Sequence, residues 1–284
     1  MNHNQFALPH QMTAIARLGS HSERVRAIFE NIEWERTFIP SPYGEAERLS
    51  LASYGVGYNP DSRLRMRYYE RRTRAAADAA NGARVLDVGC AFGTQCLLLA
   101  TAGAAHVDGV DICAPYIAIA KKRLALWGAD NVSCSARSVF DCDASEPYDL
   151  IFVMETLHHI VPFEDFFARV RVLLKPGGKL IISEPNGGNP FIHGRATRKG
   201  WNSGRKITTG GYVQTDEMYM PDAVVVRGLK DSGFEVNRVE RYRVFPGGGT
   251  GMMDKLLAYA EPIVERLLPL KLLGVGYTVI AQRD

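Results

Sequence analysis

Several things are scarce in this chain, and each scarcity narrows the reading. No run of 18 uninterrupted apolar residues occurs among the 284, so no membrane-crossing helix is expected. The opening residues MNHNQFALPHQ lack a basic segment followed by a long apolar one, so no secretory leader is expected. The five cysteines (Cys90, Cys96, Cys113, Cys134 and Cys142) are odd in number and contain no Cys-x-x-Cys pair. That excludes a disulfide framework and a zinc ribbon and predicts a reducing, cytoplasmic setting with no metal site. An excess of either charge is almost absent, with 34 Lys and Arg against 31 Asp and Glu and a formal net charge of +3, which points away from a nucleic-acid partner. Neither an internal repeat nor a low-complexity tract is present.

What is there is ordinary globular material, with 46% apolar and 23% charged residues. A chain this long buries roughly 75% of its unfolded surface and needs no covalent staple. Residues 1–81 read as helical but irregular, a cap or lid segment. Ser20–Asn31 offers an N-cap serine and apolar residues at Val25, Ile28 and Phe29. The stretch from Phe38 to Pro60, with three prolines, three glycines and three tyrosines, reads as a loop. Arg63–Ala80 returns to helix. From residue 82 the pattern is regular. Strands are predicted at Arg84–Val88, Val107–Val110, Val132–Ser135, Leu150–Val153 and Lys179–Ser183, with helices at Gly93–Ala102, Pro115–Trp127 and Pro162–Leu174 between them. This alternation predicts an α/β fold, an open, doubly wound parallel sheet with helices on both faces. After an insertion at 186–220, a helix at Pro221–Ser232, a strand at Phe234–Phe245, a helix at Met252–Leu268 and a last strand at Gly276–Ala281 follow, the two strands being candidates for an antiparallel edge.

The segment Val85-Leu86-Asp87-Val88-Gly89-Cys90-Ala91-Phe92-Gly93 carries the chemistry. Glycines at a strand-to-helix turn let backbone approach a ligand and expose the first N–H groups of the helix. The spacing is not the Gly-x-Gly-x-x-Gly of dinucleotide sites, which argues against a nucleotide-dependent oxidoreductase. Asp111 ends the second strand, where a carboxylate can accept hydrogen bonds from both hydroxyls of a ribose. Val139-Phe140-Asp141 follows the third strand, an apolar pair and an acid suited to an adenine ring and its amino group.

These segments resemble the class I S-adenosylmethionine-dependent methyltransferases. Asp87-x-Gly89-x-x-x-Gly93 is similar to their first motif and Gly109-Val110-Asp111 to their second. Tyr148-Asp149-Leu150-Ile151 with Leu157-His158-His159-Ile160 is similar to the fourth strand and its loop, and Leu174-Lys175-Pro176-Gly177-Gly178-Lys179-Leu180 to the entry of the fifth. Ala91 stands where the family usually has a glycine and slightly crowds the cofactor. The resemblance covers about residues 83–185. It implies a Rossmann-like, seven-stranded sheet whose last strand is antiparallel. It also implies S-adenosylmethionine as cofactor: Gly89, Cys90, Ala91 and Gly93 along its methionine part, Asp87 beneath, Asp111 and Ile112 at ribose and adenine, Phe140 and Asp141 at the base, and Met154 and Glu155 beside the sulfonium.

The sulfonium methyl is a strong electrophile, so the protein must place a nucleophile, exclude water and, for an alcohol or phenol, accept a proton. His158 and His159 at the end of the fourth strand, and His193 in the insertion, are candidate bases. The Asn/Asp-Pro-Pro-aromatic signature of enzymes acting on base nitrogens is missing; Met154-Glu155-Thr156-Leu157 stands there. The neighbourhood is similar to the small-molecule branch. The expected reaction is therefore methylation of a hydroxyl on a natural-product, glycan or quinone-like acceptor. The alternatives are N-methylation of a small amine or amino sugar and a non-catalytic cofactor-binding partner protein. Between Asn186 and Thr215 there is no acid, yet Arg195, Arg198, Lys199, Arg205 and Lys206 occur beside Trp201 and Tyr212, a setting for an anionic acceptor. Arg195, Trp201 and Tyr212, with Tyr43 and Tyr58 of the N-terminal loop, are candidate acceptor contacts. Met252–Leu273 is amphipathic to strongly apolar. It predicts burial on the sheet, the lining of a hydrophobic acceptor site, a homodimer face on an otherwise monomeric enzyme, or a peripheral membrane contact.

Overall fold

The computed structural model describes residues 9–38, 62–192, 206–209, 212–215, 218–245, 251–267, 269 and 273–284. In chain order the helices are α1 (Pro9–Ala16), α2 (His21–Phe38), α3 (Arg63–Ala80), α4 (Thr94–Thr101), α5 (Ala114–Trp127), α6 (Phe163–Leu173), α7 (Asp222–Asp231) and α8 (Met252–Leu267). The strands are β1 (Arg84–Val88), β2 (His106–Asp111), β3 (Val132–Ala136), β4 (Tyr148–Met154), β5 (Leu174–Pro185), β6 (Lys206–Thr209), β7 (Tyr212–Thr215), β8 (Phe234–Tyr242) and β9 (Gly276–Arg283).

Seven strands form one sheet in the order β3-β2-β1-β4-β5-β9-β8. The first five run parallel; β9 pairs antiparallel with both β5 and β8. The last strand is therefore inserted between β5 and β8, and β8, not β9, forms the edge. β5 is longer than the Lys179–Ser183 read from the sequence, because Leu174 already pairs with Tyr148 ahead of an irregularity in the ladder.

The strands are buried on both faces, as near-continuous apolar runs require. Along β1, Val85 joins a core formed with α1–α5, and Leu86 and Val88 join a second core formed with α6 and α7. Met12, Ile15, Val25, Ile28, Phe29, Met66 and Tyr69 of α1–α3 belong to the first of these cores. The described N-terminal helices thus share the sheet's interior instead of forming a core of their own. Their starts are locally encoded. Ser20 and Glu23 form a reciprocal capping box, with Ser20 N–H donating to Glu23 Oε2 (2.9 Å) and Glu23 N–H to Ser20 Oγ (3.2 Å). Ser62 caps α3 by accepting from Arg65 N–H.

The 186–220 insertion contains β6 and β7, paired as a separate antiparallel hairpin. The strand order reverses between β1 and β4, and open α/β sheets bind ligands at the carboxyl edge of such a switch point.

Candidate active site

The turn leaving β1 is built by backbone geometry. Gly89 and Gly93 both have φ of +76°, a region open mainly to glycine. Gly89 N–H donates to Val110 O (2.8 Å), Cys90 N–H to the same oxygen (3.1 Å), and Gly93 N–H to Cys90 O (2.8 Å). Ala91 adopts φ of +45° despite its side chain. Its N–H donates to Asp111 Oδ2 (3.0 Å), while Cys113 N–H donates to Oδ1 (2.8 Å). Each Asp111 oxygen thus spends one lone pair on backbone and keeps capacity for a ligand hydroxyl. Burial raises the Asp111 pKa, and those two N–H groups oppose the shift.

Beneath the turn the side chains run inward. Asp87 is 1% exposed and accepts a hydrogen bond from Cys96 Sγ (3.2 Å); burial pushes its pKa up to about 7. Cys90 is wholly buried, its thiol turned toward those of Cys96 and Cys134. The ligand atoms of Cys90, Cys96 and Cys134 lie within 4.8 Å of one another. Gly109 makes this possible: a Cβ there would come within 2.9 Å of all three sulfurs. The spacing of these cysteines in sequence predicts no such cluster, because the three sit on a turn, a helix and an edge strand. Hydrogen bonds from Cys90 and Cys96 make Cys134 the most acidic of the three thiols.

After β3, Val139–Asp141 form a single 3₁₀ turn capped by Ser138 Oγ. Val139 is buried as its anchor, while Phe140 is 43% exposed and Asp141 is exposed. An exposed aromatic held on a buried anchor provides a stacking face. Ile112 follows Asp111, half-buried at the end of β2.

The loop leaving β4 faces this turn. Met154, the last residue of β4, is buried in the first core. Glu155 has φ of +50°, donates its N–H to Ser183 O (3.0 Å), and pairs through Oε1 with the buried Arg72 of α3 (2.6 Å). Thr156 N–H and Leu157 N–H both donate to Glu184 Oε1 (2.9 Å each), and His158 Nδ1 lies 2.5 Å from Glu184 Oε2. Burial alone would raise the Glu184 pKa, but the His158 charge and hydrogen bond and the two N–H donors hold it below the ordinary value. The His158 ring packs at a tilt against His159 (4.2 Å between centroids, 46° between planes) and Tyr219 (5.0 Å, 57°). Glu184, Arg72 and Tyr219 are absent from the sequence-based site. The signal for Glu184 was present: an acid closing a buried strand, next to a His-His loop.

Tyr43, Tyr54, Tyr58, His193, Arg195, Arg198, Lys199, Trp201 and Arg205 lie outside the described residues. Tyr212 stands on β7 opposite Thr209.

The chain matches the family described as "Methyltransferase domain" over residues 79–221. A ubiquinone biosynthesis O-methyltransferase of Bradyrhizobium sp. (strain ORS 278) is 32% identical over 120 residues, which are 42% of this chain and 46% of the relative. The chain thus spans about half of that relative's length. One from Nitrobacter winogradskyi is 35% identical over 217 residues, 76% of this chain and 74% of the relative. Among solved structures, an S-adenosylmethionine-dependent methyltransferase from Mesorhizobium loti superposes with a TM-score of 0.53 at 18% identity, over 75% of this chain and 97% of that one, a likeness of fold. On these matches and this strand order, the chain belongs to the class I S-adenosylmethionine-dependent methyltransferases.

Proposed function

We propose that this chain methylates a hydroxyl of a small quinone-like acceptor, in the cytoplasm, with the His158–Glu184 pair as its proton-accepting unit. The residues present fit the cofactor. Gly89 and Gly93 supply the left-handed backbone that the turn needs, Asp111 keeps acceptor capacity, and Phe140 offers an exposed ring. S-adenosylmethionine supplies an electrophilic methyl group; the chain must supply position and a place for the proton. Gly89, Ala91 and Gly93 present backbone, Asp111 would hold the ribose hydroxyls, and Phe140 with Asp141 the adenine.

The observation that carries the reading is the 2.5 Å contact between His158 Nδ1 and Glu184. A buried carboxylate on Nδ1 selects one tautomer and stabilises the imidazolium, so that proton transfer runs through Nε2. Such a pair suits a phenol or alcohol, which must lose a proton on methylation. A neutral amine has less need of it. The relatives named for O-methylation in ubiquinone biosynthesis support the same choice, and five free thiols fit a reducing compartment.

The test is transfer of labelled methyl from S-adenosylmethionine to a catechol, with a primary amine of similar size as the competing probe. His158→Ala should lower kcat by about 10²–10⁴-fold, the usual share of a general base, and leave cofactor affinity intact. Transfer to the amine alone, or full catechol turnover by His158→Ala, would overturn the proposal.

A further inference from the structure

Helix α8 wears its charge on the wrong side for an ordinary surface helix. Its three acids turn inward. Asp254 is buried and accepts hydrogen bonds from Ser62 Oγ (2.8 Å) and Arg63 N–H (2.7 Å) at the start of α3. Glu261, also buried, accepts from Val244 N–H (3.2 Å) and lies 3.7 Å from Arg67 Nε. Glu265 accepts from Arg243 N–H (2.6 Å) and pairs with Arg71 (2.8 Å). These contacts fix the helix's rotation, because turning it would strand three carboxylates and the backbone groups they satisfy.

The outer face is then apolar. Met252, Met253, Leu256, Tyr259, Ile263 and Leu267 are each more than half exposed. At 3.6 residues per turn, all but Met253 fall within an arc of about 80°, opposite the acids. The charged residues exposed on α8 are Lys255 and Arg266, which flank one side of the stripe. Packing against the sheet, one reading of this segment, is therefore not what the outer face does.

From this arrangement we propose that the outer face of α8 lies flat on an anionic lipid surface. Charge decides between occupants. A second copy of this chain would bring the same cations against themselves, whereas an anionic bilayer offers apolar depth under the stripe and opposite charge at its rim. Sixteen residues extend about 24 Å, short of the roughly 30 Å hydrocarbon core, and no described helix is long and apolar enough to cross a membrane. The helix therefore lies in the interface plane. The proposal is independent of which acceptor the enzyme methylates.

The experiment is co-sedimentation of the full chain with phosphatidylcholine vesicles and with vesicles also containing phosphatidylglycerol. Binding is expected to the second and to fall with added salt. Leu256→Glu combined with Ile263→Glu should abolish it. Lys255→Gln and Arg266→Gln should each weaken it about fivefold. Because these side chains face solvent, the variants should melt like the parent. As a reporter that leaves the stripe apolar, Tyr259→Trp should add a blue-shifted emission when anionic vesicles are mixed in. No sedimentation with anionic vesicles would overturn the proposal, as would equal binding by the double glutamate variant. So would a stable homodimer that this variant dissociates while the parent ignores lipid.

Discussion

Thr156 occupies the space that a side chain on Gly89 would need. A Cβ at Gly89 would lie 2.0 Å from Thr156 Oγ1 and 2.5 Å from Cγ2. The turn leaving β1 and the loop leaving β4 therefore touch, and the second carries His158, which pairs with Glu184 of β5. The donor-side backbone and the proposed base are parts of one packed unit. Gly89→Ala would meet two costs, the collision and the penalty of about 1–2 kcal/mol for a left-handed φ with a Cβ. We expect the turn to shift, with S-adenosylmethionine affinity down at least tenfold by calorimetry and a lower melting temperature. Unchanged cofactor affinity would mean that the turn does not approach the ligand.

Much of this was legible in the sequence, and the reasons are local. The short apolar runs of β1, β2 and β4, the glycines of the first turn and Asp111 at a strand end are short-range signals, and the fold carries each where expected. The direction of a side chain was harder. Val85 and Asp87 share one strand face, so Asp87 follows Val85 toward the core beneath α4, an alternation the sequence already contained. The hairpin of β6 and β7 also had a signal, Gly210-Gly211 between two runs containing β-branched residues. What no window could reveal was long-range pairing. His158 meets Glu184 across 26 residues, Arg72 meets Glu155 across the fold, and the acids of α8 meet α3 nearly two hundred residues away.

Asp87 gives a prediction with a sign. Burial is the main cause of its raised pKa, about 7 against 3.8 in an unfolded chain. The folded state therefore holds a proton that the unfolded state has lost between those values, and this contribution to stability drains as pH rises from 4 to 7. Asp87→Asn keeps an acceptor for Cys96 and removes the titration. Its stability relative to the parent should climb over that window, by up to about 1.4 kcal/mol per pH unit, and level off above. A difference in melting temperature that stays constant from pH 4 to 8 would contradict an Asp87 buried in protonated form.

His21 should act in the opposite direction, and on the N-terminal helices. It opens α2, and its Nε2 lies 3.2 Å from Glu70 O and 3.0 Å from Thr73 Oγ1 on α3. Thr73 donates its own hydroxyl to Tyr69 O, so Nε2 is the donor to Thr73 and carries the proton. Nδ1 is buried without a partner among the described residues, and a second proton there would meet no acceptor among them. Burial, reinforced by the Arg74 and Arg24 charges, lowers the His21 pKa to about 4 from 6.5. The unfolded state thus binds the extra proton first. The neutral contact is fully available above pH 6.5 and is lost as pH falls toward 4, at up to about 1.4 kcal/mol per unit. His21→Gln keeps a donor and cannot titrate. Its melting temperature should fall less than the parent's between pH 6.5 and 4.5, with the largest difference for amide exchange in α2. Parallel profiles for the two proteins would show that His21 takes up its proton as readily in the folded protein as in the unfolded chain and that the junction of α2 and α3 tolerates the charge.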